Sequence, residues 1–117
     1  IMKIIRHGTT KRWSDATVFN NVVYMVEVPV NTSGNISQQS LELLKLIEDG
    51  LIKFGTSRDN ILSVTIFLKD IRQIQQFNEI WDNWLTNGSA PSRACVEANM
   101  ADSEYLVEIQ LTAAIID

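Results

Sequence analysis

The stretch from Ala90 to Ile115, APSRACVEANMADSEYLVEIQLTAAI, decides how this chain folds. It holds two strand-like runs, about Arg93 to Asn99 and Tyr105 to Ile116, joined through Ala101-Asp102-Ser103-Glu104. Successive strand side chains point to opposite faces of a sheet, so Tyr105, Val107, Ile109, Leu111, Ala113 and Ile115 share one face. Leu106, Ala114 and Ile116 fall on the other beside Glu108, Gln110 and Thr112, which leaves that second face half apolar. Arg93 stands at the mouth of the first run among small apolar residues. Taken alone it is a surface ion pair, a helix-end contact or a ligand for an anion, and Glu108 taken alone is a solvated sheet position.

Working back from this stretch, Ile74, Phe77, Trp81, Trp84 and Leu85 lie on one helical stripe. Asp70 is a predicted N-cap with Gln73 completing a capping box, and Asn87-Gly88 a predicted stop. Ile61 to Leu68 alternates as a strand, with Leu62, Val64, Ile66 and Leu68 on one face and Ser63 and Thr65 on the other. From Ser37 to Phe54, Leu41, Leu44, Ile47, Leu51 and Phe54 follow helical spacing, and Gly55 is placed to end the helix. Thr17 to Phe19 and Val22 to Val26 flank Asn20-Asn21, a pair that tolerates the positive φ of a tight hairpin. Pro29 and the Asn31-Thr32-Ser33-Gly34 cluster lead into a loop. The order of strands, helix, strand, helix, strands predicts an α+β layer arrangement. Two helices cover one sheet face, so the half-apolar second face predicts association with further copies of the chain.

The chain has 117 residues, the size of one domain able to bury roughly two-thirds of its unfolded surface, and no linker or repeat divides it. Ile1 ahead of Met2 reads as a cloning remnant and is set aside, giving one domain over residues 2–117. The single cysteine, Cys95, excludes an internal disulfide, and no signal-peptide pattern stands at the start, so the expected location is cytoplasmic. The sequons at Asn31, Asn35 and Asn87 are then loop composition. A net charge of −4 and a pI near 4.9, without a Lys/Arg cluster, argue against nucleic acid as a partner. No membrane partner is expected either. His7 is the only histidine, so no metal site is predicted. Without a histidine in any motif near Cys95, covalent catalysis has no support.

Four stretches together resemble one known family. Ala90-Pro91-Ser92-Arg93-Ala94-Cys95-Val96-Glu97-Ala98, followed by Val107-Glu108-Ile109, is similar to the C-terminal signature of the Rid family, the reactive intermediate deaminases also called the YjgF or L-PSP family. Pro29-Val30-Asn31 with Gly34 resembles the loop before the family's first helix. Thr65 to Asp70 resembles its central strand and cap, and Phe77-Asn78-Glu79-Ile80-Trp81 its second helix. The resemblance covers about Thr10 to the C-terminus. It implies a chorismate-mutase-like α+β fold, with a mixed β-sheet and two helices on one face, assembled as a homotrimer with small-molecule clefts between subunits. The implied activity is hydrolysis of reactive enamines and imines to 2-oxo acids and ammonia, with no metal or organic cofactor.

The resemblance also assigns roles. Arg93 matches the arginine that binds a substrate carboxylate, for which a guanidinium fork offers two parallel hydrogen bonds. Glu108 matches the acid that positions or deprotonates water. Asn78 and Cys95 match cleft positions, while Glu97, on the face of Arg93 and Cys95, is an ion-pair partner or a site residue. Trp81 and Trp84 are predicted core aromatics. Two departures stand out: Met25-Val26-Glu27 replaces a Ser-Gly-Gln type sequence at the pocket floor, and Trp13 or a neighbour replaces a tyrosine. The first alternative to the enzyme is a trimer that binds a 2-oxo acid without turnover, which Met25-Val26 favours. The second is an endoribonuclease or translation inhibitor, which the acidic balance disfavours.

Overall fold

The computed structural model describes residues 3–116; Ile1, read as a cloning remnant, lies outside them. Six strands form one sheet in the order β1 (Ile5–His7), β2 (Ala16–Phe19), β3 (Val22–Glu27), β6 (Val107–Ala114), β4 (Ile61–Leu68) and β5 (Ser92–Glu97). All neighbours are antiparallel except β4 and β5, so the sheet is mixed. Two helices, α1 (Ile36–Lys53) and α2 (Ile74–Trp84), pack on each other, and α1 packs on β3 and β6. The expected α+β arrangement is therefore present.

Local chemistry explains most of these elements. Asn20 and Asn21 take φ of 52° and 62°, the left-handed conformation that a two-residue hairpin between β2 and β3 requires. Asn35 caps α1: its side chain accepts from Gln38 N at 2.9 Å while Gln38 Oε1 accepts from Asn35 N at 2.8 Å. Phe54 ends the helix and Gly55 follows with φ of 80°. β6 lies between β3 and β4, so β5 and β6, consecutive in sequence, are kept apart by β4. A connection of the βαβ kind through α2 makes the β4–β5 pair parallel.

The core lies between the helices and one sheet face. Val23, Met25, Val64, Ile66, Leu68, Val107, Ile109, Leu111 and Ala113 meet Leu43, Leu44, Ile47, Leu51, Phe77, Trp81 and Trp84, all buried. The α2 stripe and the inward face of β6 are as expected. Four expectations need correction. Leu62 is half exposed, and Ile61 is buried in its place, because a bulge between Ile61 and Ser63 makes Leu62 the extra residue. Leu41 is exposed and Leu43 buried, since the buried stripe of α1 runs through two polar residues, Gln39 and Ser40. Asp70 caps a 3-10 turn, Ile71–Gln73, by accepting from Arg72 N, and α2 begins only afterwards with no side-chain cap. The second helix stops at Trp84, and Gly88, with φ of 87°, serves the turn beyond it.

Gln39 does more than fill space. Its Nε2 donates to the carbonyls of Thr32 and Glu104 at 3.2 and 3.1 Å, and its Oε1 accepts from Leu106 N at 2.9 Å. One buried amide thus ties the loop before α1 to the loop before β6. Buried polar groups are stable in a core when paired in this way. The opposite sheet face carries no helix and leaves Phe19, Tyr24, Val26 and Val96 exposed.

Candidate functional site

β5 is an edge strand with β4 as its one neighbour, so its side chains stand at the rim of the sheet. Arg93 pairs with Val64 in register and therefore lies on the helix-bearing face. There α2 supplies its two supports. Nη1 of Arg93 donates to Oδ1 of Asn78 at 2.9 Å, and the guanidinium carbon sits 5.9 Å from the centroid of the Trp81 ring. Arg93 is exposed and forms no ion pair with any carboxylate among the described residues. An arginine oriented at one nitrogen, with its charge over an aromatic ring, keeps its other N–H groups free to donate. Cys95, two residues on, is half-buried on the same face; burial pushes its thiol up, and the charge of Arg93 pulls it down by less. That places the thiol away from the reactive thiolate range. Glu97 shares this face too, but its Oε1 accepts from Ile71 N at 3.1 Å, which holds the turn before α2. It does not pair with Arg93.

Glu108 is elsewhere. It pairs with Phe67, one of the residues that alternate away from the helices, and so lies on the open face. With Phe67, Ala98, Asn99, Met100 and Ala101 it lines a shallow cavity of about 270 Å³. Burial raises its carboxyl above the ordinary range, and no side-chain or backbone group among the described residues hydrogen-bonds to it. Arg93 and Glu108 are two strands apart, roughly 10 Å across the sheet, and point to opposite faces. Within one chain they do not meet.

The two remaining expected residues lie toward the other edge. Trp13, in the turn between β1 and β2, is 59% exposed and close to none of the residues above. Met25 is buried on β3 facing α1, where it lines a separate cavity with Glu27, Asp15 and His7. The structure thus gathers Arg93, Asn78 and Cys95, with Trp81 beneath the arginine, and leaves Glu108, Trp13 and Met25 apart. The supporting role of the Trp81 ring was not expected of a core aromatic. Its indole is in fact both buried in the core and in contact with Arg93. Among the described residues no group of three or more His, Cys, Asp or Glu side chains is placed to hold a metal ion. No helix among them is long and apolar enough to cross a membrane.

A mixed sheet backed by two helices is the fold of the YjgF-family structures to which this chain is similar. The sequence matches the family described as Endoribonuclease L-PSP over residues 5–115, and the chain belongs to that family. It is 37% identical over 114 residues to the RutC family protein YoaB of Escherichia coli, covering 97% of this chain and 100% of that one. The crystal structure of NMB1025, a YjgF-family protein from Neisseria meningitidis, superposes with a TM-score of 0.92 at 36% identity, covering 99% of this chain and 98% of that one. A Rid-family protein from Yersinia pestis superposes at 0.82 with 30% identity, covering 91% and 90%.

Proposed function

We propose that this protein is an imine deaminase, hydrolysing 2-imino acids to 2-oxo acids and ammonia in clefts between the subunits of a chorismate-mutase-like homotrimer. The observation that carries this reading is Arg93 itself: exposed, oriented by Asn78, seated on Trp81 and unpaired with any carboxylate. A guanidinium kept in that state is matched to a carboxylate that arrives from outside. The imine carbon next to that carboxylate is already electrophilic. Water adds to it, its proton passing to the Glu108 carboxylate, and the nitrogen of the carbinolamine is protonated and leaves as ammonia while the oxo group forms. A carboxyl raised by burial is a stronger base than an ordinary glutamate, which suits it to take a proton from the attacking water. Positioning supplies most of the rate effect.

The two groups lie on opposite faces, so the cleft needs Arg93 from one chain and Glu108 from another. This fits assembly through the bare sheet face. A second reading, a trimer that binds a 2-oxo acid without turnover, draws on Met25-Val26 standing where the family's usual choice is a small hydrogen-bonding residue and a glycine; of the two, Val26 is the one on the face of Glu108. A coupled assay separates the two. A serine dehydratase generates 2-aminoacrylate, and pyruvate release is followed with and without the protein. Faster release supports the deaminase; saturable 2-oxo acid binding with no acceleration supports the binder.

A further inference from the structure

Between the β1–β3 side of the sheet and the second half of α1 lies a cavity of about 330 Å³. That volume is in the range of small-molecule sites. It is separate from Arg93 and Glu108 and has no part in the reaction above. Its apolar lining comes from Ala16, Met25, Leu46 and Phe54, with Gly50 of α1 adding no side chain. Its polar lining is a pair of carboxylates, Asp15 and Glu27, together with His7, Asp49 and Lys53.

Two of these carboxylates, the exposed Asp15 and the half-buried Glu27, have no partner of their own among the described residues. Asp49 is already held by Lys45 at 2.9 Å. Neither Asp15 nor Glu27 has an ion pair or a side-chain hydrogen bond among the described residues, and Lys53 reaches neither. Both carboxylates line this one cavity, and the backbone holds Asp15 in place there. Backbone bonds from Asp15 N to His7 O and from Val26 N to Asp15 O fix Asp15 between β1 and β3. Gly8, at φ of 63°, leaves the space its carboxylate occupies, since a Cβ there would overlap Asp15 Oδ2. His7 is turned edge-on to Phe54 with ring centroids 4.6 Å apart, which commits it to the apolar wall.

We propose that this cavity is a binding site for a small organic cation, a primary ammonium on a compact apolar body, with the ammonium between Asp15 and Glu27 and the body against Met25, Leu46 and Phe54. An ammonium offers three donors to two carboxylates that have none. An anion would meet both carboxylates, and a neutral apolar molecule would leave them without a counter-charge. The acid–base state of Glu27 agrees: burial, and then the charge of Asp15, raise its carboxyl to about 7, so near neutral pH it carries a proton about half the time. A bound ammonium sets a positive charge beside both carboxylates, which favours the ionised form of Glu27 and releases that proton.

The test is a titration of the full-length protein with butylamine, butanol and butyrate, read at the ε-methyl of Met25 by NMR. Met25 lines the cavity, and the chain has only three methionines to assign. Butylamine should shift this resonance saturably, with butanol and butyrate at least tenfold weaker. Calorimetry of butylamine binding at pH 7, in buffers of differing ionisation enthalpy, should show net proton release. Glu27→Gln should weaken butylamine at least tenfold, and Asp15→Asn should weaken it as well, with thermal melting confirming that both variants fold. Butanol binding as tightly as butylamine, butyrate binding more tightly, or unaltered butylamine affinity in both variants would overturn the proposal.

Discussion

Arg93 stands at an exposed edge, so any hold it takes on a ligand depends on how well two neighbours fix it. Replacement by lysine keeps a charge but loses the paired donors of the guanidinium and alters the contact with the Trp81 ring. Affinity for 2-oxo acids should fall by roughly 1–3 kcal/mol, and the preference for the acid over its amide should shrink in calorimetry. Equal binding of acid and amide by the parent would remove the carboxylate role. Glu27 makes a prediction about stability. Its carboxyl is raised in the folded state, so its contribution favours folding below the ordinary glutamate range and is lost as pH climbs from about 4.5 through about 7. Glu27→Gln abolishes that loss. The variant should be more stable than the parent at pH 8 by about 1 kcal/mol after allowance for solvent screening, and equal to it at pH 4. Equal pH dependence of melting in the two proteins would contradict this. At this scale the stretch around Arg93 singled out Cys95 and the stretch from Phe77 to Trp81 singled out Asn78, and the structure places both beside Arg93. Asp15 and Glu27 were not, because twelve positions separate them and only the pairing of β1, β2 and β3 brings them to one cavity.

Among the elements, the two loops joined by Gln39 are the most instructive. One of them leads into β6 and so toward Glu108; the other follows Pro29. Gln39→Ala removes three hydrogen bonds at once and leaves two carbonyls and the Leu106 amide to find water or go unpaired. The expected cost is about 2–4 kcal/mol in denaturant unfolding, with loss of exchange protection at the Leu106 amide. A variant as stable as the parent, with that amide still protected, would show that the loops hold by themselves. Helical spacing did not reveal this, because a periodicity of apolar residues counts Gln39 and Ser40 as solvent-facing and promotes Leu41 in their place. The bulge at Leu62 escaped for a related reason: strict alternation presumes one residue opposite one, and a bulge sets two against one. β1 was missed because three residues, all exposed, give no pattern at all. The hairpin, both helices and the long strands were legible because asparagine turns, a glycine stop and sustained alternation are local facts.

For the whole molecule, the bare face with Tyr24, Val26 and Val96 predicts the assembly. Light scattering at micromolar concentration should report three chains, and Val26→Lys should lower that number without loss of helical signal in circular dichroism; a parent that stays a stable monomer would remove the assembly and the shared cleft together. Strand alternation gave the expectation that copies associate; which side chains each copy would lend to its neighbour on the proposed reading follows only from the opposite facing of Arg93 and Glu108. The same opposite facing has a genetic reading. Two damaged alleles should repair each other: Arg93→Ala chains retain Glu108, and Glu108→Gln chains retain Arg93. On the proposed reading each should be inert as a pure population. Unfolded together in equal amounts and refolded, chains that assort at random would place an intact Arg93 against an intact Glu108 at about one cleft in four. About a quarter of the parental deaminase rate should return on mixing, and a doubly substituted chain mixed with either single variant should return none.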